Sequence, residues 1–468
     1  MKYRFQWNFP IFFSPHNSKK LYAASNHLHS STYGGQSWEV ISPDLTRNDS
    51  SKLVSSGGPI TKDNTGVEYY CTIFAAAESH HEEGVIWTGS DDGLVYITKD
   101  GGNNWTNVTP SGMPEWIMIN SVEVDPFNKG GLYLAATMYK SGDYRPYLYR
   151  TLDYGNTWMK ITNGIDEGHF TRVVRADPKR KGLLYCGTES GMYISYDDGL
   201  SWQAWQLNLP VVPITDLAIK NNNLIAATQG RSFWIIDDLT PLHEFTPDLK
   251  NKENHLFTPM ASYRIGGYQN KNLRDAGTNH PGGVLINFYV REEPDTAETI
   301  ALKFLDSKGE LIRTFSNNAR EEKDKLEVKK GFNQFSWNMR YPEAEGFDNM
   351  IMWWVNLQGP VALPGDYSVR MVCNKDSMES RFTILKDPRS DTPDEAMKSQ
   401  FDFLVETGTK FTETSRVIKK IRESRKQLDF LRSKLDEEEH KALIRFTDSV
   451  GHDLSKVEEA LYQTKNQS

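Results

Sequence analysis

The chain has 468 residues, of which 25% are charged and 12% aromatic, a composition typical of a soluble globular protein with two or three domains. Its formal net charge of −8 argues against a dedicated nucleic-acid-binding protein. No stretch approaches the roughly 18–20 apolar residues that span a bilayer, and the N-terminus lacks the features of a signal peptide. The three cysteines are widely spaced and odd in number, so they indicate neither a disulfide framework nor a zinc site.

A short motif, S/T-x-D-x-G-x-x-W, recurs along the first half of the chain. Complete copies are Thr98–Trp105, Thr151–Trp158 and Ser195–Trp202, and Ser31–Trp38 is a fourth copy with Tyr33 in place of the Asp. The Asp and Gly are typical of a tight hairpin turn, and the Trp packs between neighbouring sheets. The interval between successive tryptophans shortens from 67 to 44 residues, and the shortest matches the roughly 40–45 residues of a four-stranded blade. The repeat therefore predicts a mainly β protein with an Asp-box β-propeller.

Strand-like segments around these motifs predict about five blades within residues 1–242. The fifth blade, at 215–237, has no copy of the motif and three predicted strands. A polar loop at 44–69 lies between the first and second predicted blades. Loops of this length are either functional or disordered, and the sequence leaves both open.

Three further segments follow the blades. Residues 243–283 are rich in Pro, Asn and Gly and predict a linker or a strap along the propeller. Short alternating strands at 284–388 predict an immunoglobulin-like β-sandwich. Residues 391–468 carry apolar residues at heptad spacing and predict a helical hairpin tail, with Thr392–Glu395 as a capping box and Pro393 at the first helical position.

Segments beyond the motif support a family resemblance. They are Ser56–Tyr70, Gly89–Val95, Asn208–Leu217 and Thr228–Trp234 in the blades, Asn333–Arg340 and Pro364–Arg370 in the sandwich, and Glu459–Ser468 in the tail. Together they resemble the sortilin-like, Asp-box (BNR) repeat proteins that bacterial genomes often label "glycosyl hydrolase". The resemblance implies an extracytoplasmic protein that is periplasmic, surface-bound or secreted. Because members usually carry a signal peptide and further blades before the position of Met1, we expect a C-terminal part of a longer protein, with an incomplete ring of blades.

One rim of the predicted propeller combines carboxylates with aromatic side chains. Alternating strand direction places the loops between second and third strands on the same rim as the loops between blades, opposite the motif turns. Such a combination suits sugar hydroxyls and sugar faces. The predicted catalytic carboxylates are Glu68, Asp92 and Glu189, and the predicted substrate-binding residues are Asp91, Glu115, Trp116, Tyr139, Tyr144 and Arg231. The Asp-Asp-Gly and Glu-Ser-Gly sequences that hold Asp92 and Glu189 are also ordinary turn sequences.

Neither a cofactor nor a metal site is predicted. The cluster His80-His81-Glu82-Glu83 could bind a metal ion, but adjacent residues on a strand-connecting loop are more often solvated. The Asp residues of the repeated motif are predicted to close turns and not to act as catalysts.

The leading hypothesis is an extracytoplasmic sortilin-like propeller that binds a glycan or a peptide through this rim. The alternative is a glycoside hydrolase that acts on a β-glucan-like polysaccharide with an acid/base pair of carboxylates. Xyloglucanase-type hydrolases share Asp-box propellers, but their catalytic aspartates do not match this chain residue by residue, so this alternative depends on fold analogy. A third hypothesis is a structural scaffold within a surface complex. The helical tail is predicted to dock on its own sandwich, with self-association as the alternative.

Overall fold

The computed structural model describes residues 3–463, except for 56, 59, 64, 266–276, 296–297 and 352–355. Part of the predicted strap (266–276) and the end of the predicted tail (464–468) therefore lie outside the described residues. So do Ser56, Pro59 and Asn64 of the segment that supports the family resemblance. The chain divides into two compact units, Met1–Leu239 and Thr240–Ser468. The finer boundaries at 242, 283 and 388 stay predictions. Among the described helices, none is long and apolar enough to cross a bilayer.

Five antiparallel sheets form the described part of the first unit, and in each the strand order follows the chain. The first has β1 (Ile11–Phe13), β2 (Leu21–Ala24), β3 (Leu28–Ser31) and β4 (Glu39–Val40). The second has β5 (Ile73–Glu78), β6 (Ile86–Ser90), β7 (Val95–Thr98) and β8 (Thr106–Asn107). The third has β9 (Met118–Val124), β10 (Leu132–Met138), β11 (Asp143–Thr151) and β12 (Met159–Lys160). The fourth has β13 (Thr171–Ala176), β14 (Leu184–Thr188), β15 (Gly191–Ser195) and β16 (Gln203–Ala204), and the fifth has β17 (Ile214–Lys220), β18 (Asn223–Thr228) and β19 (Phe233–Ile236).

These sheets are the blades of a propeller, and the predicted fold class is confirmed. The first strand of each sheet from β5 onward packs against the first strand of the next sheet. Apolar residues fill the spaces between neighbouring sheets, with Trp87 and Tyr133 almost completely buried there. Burial of each large apolar side chain stabilises the fold by roughly 1.5–3 kcal/mol.

Each complete copy of the motif closes a turn and attaches its sheet to the preceding one. In all three, the first Ser or Thr hydroxyl donates to the Asp carboxylate at 2.8 Å. The indole N–H then donates to a backbone carbonyl beside the last strand of the preceding sheet. These bonds are Trp105 to Ile41 at 2.9 Å, Trp158 to Val108 at 2.8 Å and Trp202 to Ile161 at 2.8 Å. In the incomplete copy, Trp38 is 42% exposed.

The described part of the second unit contains two sheets around one apolar core. It begins with α1 (Thr240–Glu244), followed by β20 (Asn254–Leu256), β21 (Ser262–Arg264), β22 (Val284–Val290), β23 (Ile300–Leu305), β24 (Leu311–Ser316), β25 (Gly331–Trp337), β26 (Gly365–Cys373) and β27 (Asp376–Lys386). One sheet has the order β20-β22-β25 and the other β21-β27-β26-β23-β24, with β21 and β27 parallel. Trp337 and Phe304 stack at 4.4 Å in the core. An immunoglobulin-like topology stays a prediction.

The chain ends in the predicted helical hairpin, formed by α2 (Asp394–Arg432) and α3 (Lys441–Leu461). The predicted capping box is wrong, because the helix begins one residue later than expected and Pro393 occupies the N-cap position without a side-chain cap. Glu458 of α3 is almost completely buried and accepts hydrogen bonds from Arg422 at 2.7 Å and Arg425 at 3.1 Å. This ion-pair cluster joins the two helices.

Candidate functional site

A cavity of about 410 Å³ lies on the predicted rim, where the second and third sheets of the first unit meet. Of the residues predicted from the sequence, it brings together Asp91, Glu115, Trp116 and Tyr139. Sequence reasoning missed its other polar wall residues, which are Lys52, Tyr70, Thr137, Lys140 and Ser141. Lys52 comes from the long loop after β4, so this loop contributes directly to the site.

Asp91 is the buried carboxyl of this cavity, with 5% of its surface exposed. It follows the end of β6, and its Oδ1 and Oδ2 accept hydrogen bonds from the Thr72 backbone N–H at 2.8 Å and the Thr72 hydroxyl at 2.9 Å. Burial raises the pKa of Asp91 to about 7, against the opposing effect of the two Thr72 hydrogen bonds. Near neutral pH this carboxyl can therefore both donate and accept a proton.

Asp92, the next residue, organises the turn. Its side chain has no exposed surface. Its Oδ1 accepts from the Ser90 hydroxyl at 2.5 Å and its Oδ2 from the Arg47 backbone N–H at 2.8 Å. The Arg47 side chain in turn donates to the Asp92 carbonyl at 2.8 Å. The carboxylate thus ties the long loop to the turn after β6, and its predicted catalytic role stays a prediction.

Trp116 is held on the cavity wall in a strained conformation. Its φ of +64° lies in the left-handed region, which costs a non-glycine residue on the order of 1–3 kcal/mol. Tyr70 stacks near it at 6.3 Å, and the Arg47 guanidinium and the Lys52 ammonium lie 4.8 and 4.9 Å from the ring centre. Strain of this kind clusters at binding and active sites, so the fixed indole is a candidate ligand contact.

Tyr139 connects the cavity to a neighbouring aromatic group. It stacks on Phe170 at 5.0 Å, and Tyr144, which is 54% exposed, lies 6.1 Å from the same ring. The Arg172 guanidinium covers Tyr139 and Phe170 at 5.6 and 5.2 Å. Glu189 binds this guanidinium with an oxygen–nitrogen distance of 2.6 Å. Tyr144 and Glu189 thus belong to an adjoining cluster and not to the lining of the cavity.

Two predicted residues are not brought into this site. Glu68 accepts a hydrogen bond from the Trp7 indole at 2.9 Å at an exposed position. Arg231 donates to the Gly230 carbonyl at 2.8 Å in the fifth sheet. Their roles in catalysis and substrate binding stay predictions.

Two side chains of the His80-His81-Glu82-Glu83 cluster form contacts with other residues of the chain. The His81 ring lies 3.0 Å from the Asp125 carbonyl oxygen, and Glu82 accepts from the Tyr154 hydroxyl at 2.6 Å. Within the part of the chain that the structure describes, no group of three His, Cys, Asp or Glu side chains is arranged to hold a metal ion.

Comparison with known proteins gives partial similarities. No family model matches the chain. One similar curated protein is the oligoxyloglucan-reducing end-specific xyloglucanase of Emericella nidulans, 26% identical over 116 residues that cover 25% of this chain and 14% of that protein. Another is xyloglucanase Xgh74A of Acetivibrio thermocellus, 25% identical over 142 residues that cover 25% of this chain and 17% of that protein. The similarity therefore spans less than a fifth of either relative.

Similar solved structures include the GH74 xyloglucanase from Xanthomonas campestris, with 14% identity and a TM-score of 0.39, covering 82% of this chain and 58% of that one. An ancestral GH74 enzyme has 14% identity and a TM-score of 0.38, covering 67% of this chain and 38% of that one.

Proposed function

We propose that this protein is a glycoside hydrolase that acts on a β-glucan-like polysaccharide in the cavity around Asp91. The observation that carries the proposal is a buried carboxyl with a pKa of about 7 that lines an open cavity beside a fixed indole. A general acid works best when its pKa lies near the working pH. The partial similarity to two xyloglucanases supports the same class of reaction.

The cavity supplies the groups that hydrolysis of a glycosidic bond requires. One carboxylic acid must protonate the leaving oxygen, and one carboxylate must attack the sugar carbon or activate water. In the proposal, protonated Asp91 gives its proton to the glycosidic oxygen as the bond from that oxygen to the sugar carbon breaks. Glu115, which is exposed on the same cavity wall, serves as the second carboxylate. The hydroxyl of water then adds to the sugar carbon, and the remaining proton returns to the carboxylates.

The surroundings of Asp92 and Glu189 make both less suitable than Asp91 as the general acid. Asp92 has no exposed surface and does not line the described cavity, whereas Asp91 does. Glu189 is paired with Arg172 outside the cavity lining. In the proposal these two residues support the rim, while Trp116 and Tyr139 offer faces for sugar rings.

Release of reducing sugar from xyloglucan and from mixed-linkage β-glucan tests the proposal. We expect Asp91→Asn and Glu115→Gln each to lower the rate by about 10²–10⁴-fold, the usual contribution of an acid or base group. Asp166→Asn is the matched control, because Asp166 is an exposed acid on the loop between the third and fourth sheets and does not line the described cavity. A wild-type protein that releases no sugar from either polymer would count against hydrolysis.

Glycan binding without hydrolysis is the second candidate, and the aromatic cluster of Tyr139, Phe170 and Tyr144 favours it. Half-exposed Tyr144 extends the sugar-stacking surface beyond the cavity that holds Asp91. This candidate predicts that the protein binds cellotetraose in calorimetry, that Asp91→Asn changes the Kd by less than about twofold, and that no polymer is cleaved. Binding of the protein to a peptide array tests whether the ligand is a peptide.

Both candidate functions place the protein outside the cytoplasm, because a polymeric glucan does not cross a membrane. Cell fractionation of the natural source with an antibody against the chain tests this location. Detection in the cytoplasmic fraction alone would contradict it.

A further inference from the structure

We infer that the cavity around Asp91 selects a sugar that carries a negative charge, a carboxylate or a sulfate, over a neutral sugar. The inference rests on the proposed function in taking a glycan as the ligand. It adds the substrate class, which the sequence did not predict.

Two lysine ammonium groups on the cavity wall carry the argument. Lys52 comes from the loop after β4 and Lys140 from the turn between β10 and β11, so they belong to different connections of the rim. Their nitrogens lie 4.9 Å from the Trp116 ring centre and 6.0 Å from the Tyr139 ring centre. Both side chains are exposed to solvent. Each cation is therefore held over an aromatic ring beside the space that a ligand would fill.

Neither lysine is neutralised by an ion pair among the described residues. Lys52 lowers the pKa of Asp49 and Lys140 opposes the rise in the pKa of Asp91, but neither lysine forms an ion pair with its aspartate. This contrasts with other basic residues of the first unit, such as Arg172 and Arg175, which are paired with carboxylates at 2.6 and 2.8 Å. Both ammonium groups on this cavity wall are therefore available to pair with a negatively charged group of a ligand.

The side chains that line the cavity carry a small excess of positive charge near neutral pH, although the chain as a whole carries −8. The wall holds two lysines against Asp91 and Glu115, and Asp91, with a pKa of about 7, is partly protonated near neutral pH. Behind the wall, Arg47 and Asp92 carry opposite charges and are joined by two hydrogen bonds, from the Arg47 backbone N–H to the carboxylate and from the guanidinium to the Asp92 carbonyl. A neutral sugar would use the indole and the hydroxyl groups but would leave both ammonium groups without a partner.

Calorimetry with the full chain at pH 7 tests the inference with three tetramers that differ only in the group at C6, one neutral and two negatively charged. The probes are cellotetraose, its C6-oxidised form (a tetramer of β-1,4-linked glucuronate) and a C6-sulfated cellotetraose. We expect the oxidised or the sulfated tetramer to bind about tenfold more tightly than cellotetraose, and the tighter of the two identifies the anionic group. The preference should shrink when salt is raised from about 0.02 to about 0.5 M, because screening weakens exposed charge pairs.

Lysine variants locate the effect. Lys52→Gln and Lys140→Gln should each weaken binding of the charged tetramer about fivefold more than they weaken binding of cellotetraose, as expected for an exposed ion pair. The matched control is Lys160→Gln on β12, because Lys160 lies 4.8 Å from the Tyr147 ring but does not line the described cavity. Equal Kd values for all three tetramers, or an equal loss in Lys160→Gln, would overturn the inference.

Different experimental results would contradict the inference and the proposed function. Cleavage of β-glucan together with equal binding of neutral and charged tetramers would overturn the inference and leave the hydrolase proposal intact. Charge-selective binding that depends on Lys52 and Lys140, with neither the neutral β-glucans nor a C6-oxidised β-1,4-glucan cleaved, would support the inference and overturn the hydrolase proposal.

Discussion

The hydroxyl of Thr72 controls the pKa of Asp91, and Thr72→Val tests how strongly. Thr72 donates to the carboxylate from its backbone N–H at 2.8 Å and from its hydroxyl at 2.9 Å, and both bonds favour the ionised form. Valine keeps the shape of the buried side chain but removes the hydroxyl donor. A hydrogen bond to a charged group contributes roughly 1.5–3 kcal/mol, which corresponds to about 1–2 pKa units. We therefore expect the pKa to rise from about 7 to roughly 8–9.

Carbon-13 NMR of aspartate-labelled protein measures this shift, with the Asp91 resonance assigned by its loss in Asp91→Asn. Thr46→Val is the matched control, because the Thr46 hydroxyl donates to Asp44 at 2.6 Å and not to Asp91. An unchanged or lowered pKa of Asp91 in Thr72→Val would show that the hydroxyl does not stabilise the ionised carboxylate.

The same pKa makes the stability of the fold depend on pH. Because the folded-state pKa of about 7 lies above the unfolded value of 3.8, the folded state binds the proton more tightly. The resulting stabilisation is fully present below pH 3.8 and is lost as pH rises through about 7, a change of roughly 4 kcal/mol. Between pH 5 and pH 8 this amounts to about 2.7 kcal/mol. The free energy of unfolding in urea should therefore fall by about that much more in the wild type than in Asp91→Asn.

Three further predictions concern the scaffold. Trp158→Phe leaves the Val108 carbonyl without the indole N–H, and should lower the free energy of unfolding by about 1–2 kcal/mol in urea; an unchanged value would mean that the bond contributes nothing. Glu458→Ala removes the shared partner of Arg422 and Arg425, and should destabilise the helical hairpin by about 1–3 kcal/mol, less than a fully buried pair because both arginines are partly exposed; circular dichroism during unfolding measures this. Burial raises the pKa of all three cysteine thiols, so Ellman's reagent should label the native protein at least about 100-fold more slowly than the unfolded chain, and rapid labelling would contradict the burial.

Much of the fold could be predicted because its signals are local. The motif places a turn and a tryptophan at fixed positions, so the strands on either side follow from a period of two and lie within a few residues of their predicted positions. The start of α2 shows the limit of local patterns. Thr392 and Glu395 have the spacing of a capping box, but Pro393 occupies the N-cap position with a ψ of 148° and the helix begins one residue later than expected.

The candidate site could be predicted only in part, because it depends on contacts between distant segments. Alternation of strand direction predicts that Asp91, Glu115 and Trp116 lie on one rim, and all three line one cavity in the structure. The difference between Asp91 and Asp92 lies in their partners, Thr72 and Arg47, which are 19 and 45 residues away in the chain. Adjacent aspartates in one turn carry no sequence signal for such a difference. Lys52 was missed because the sequence predicts that the loop at 44–69 lies on this rim but not which of its side chains lines the cavity.

A crystal structure of the Asp91→Asn variant with a cello-oligosaccharide, neutral or C6-oxidised, is the most direct test of the cavity as the glycan site. We expect a sugar ring against Trp116 and a glycosidic oxygen within hydrogen-bond distance of the side chain at position 91. Sugar bound at the Glu189 cluster or elsewhere on the protein, with the cavity around position 91 empty, would contradict the account.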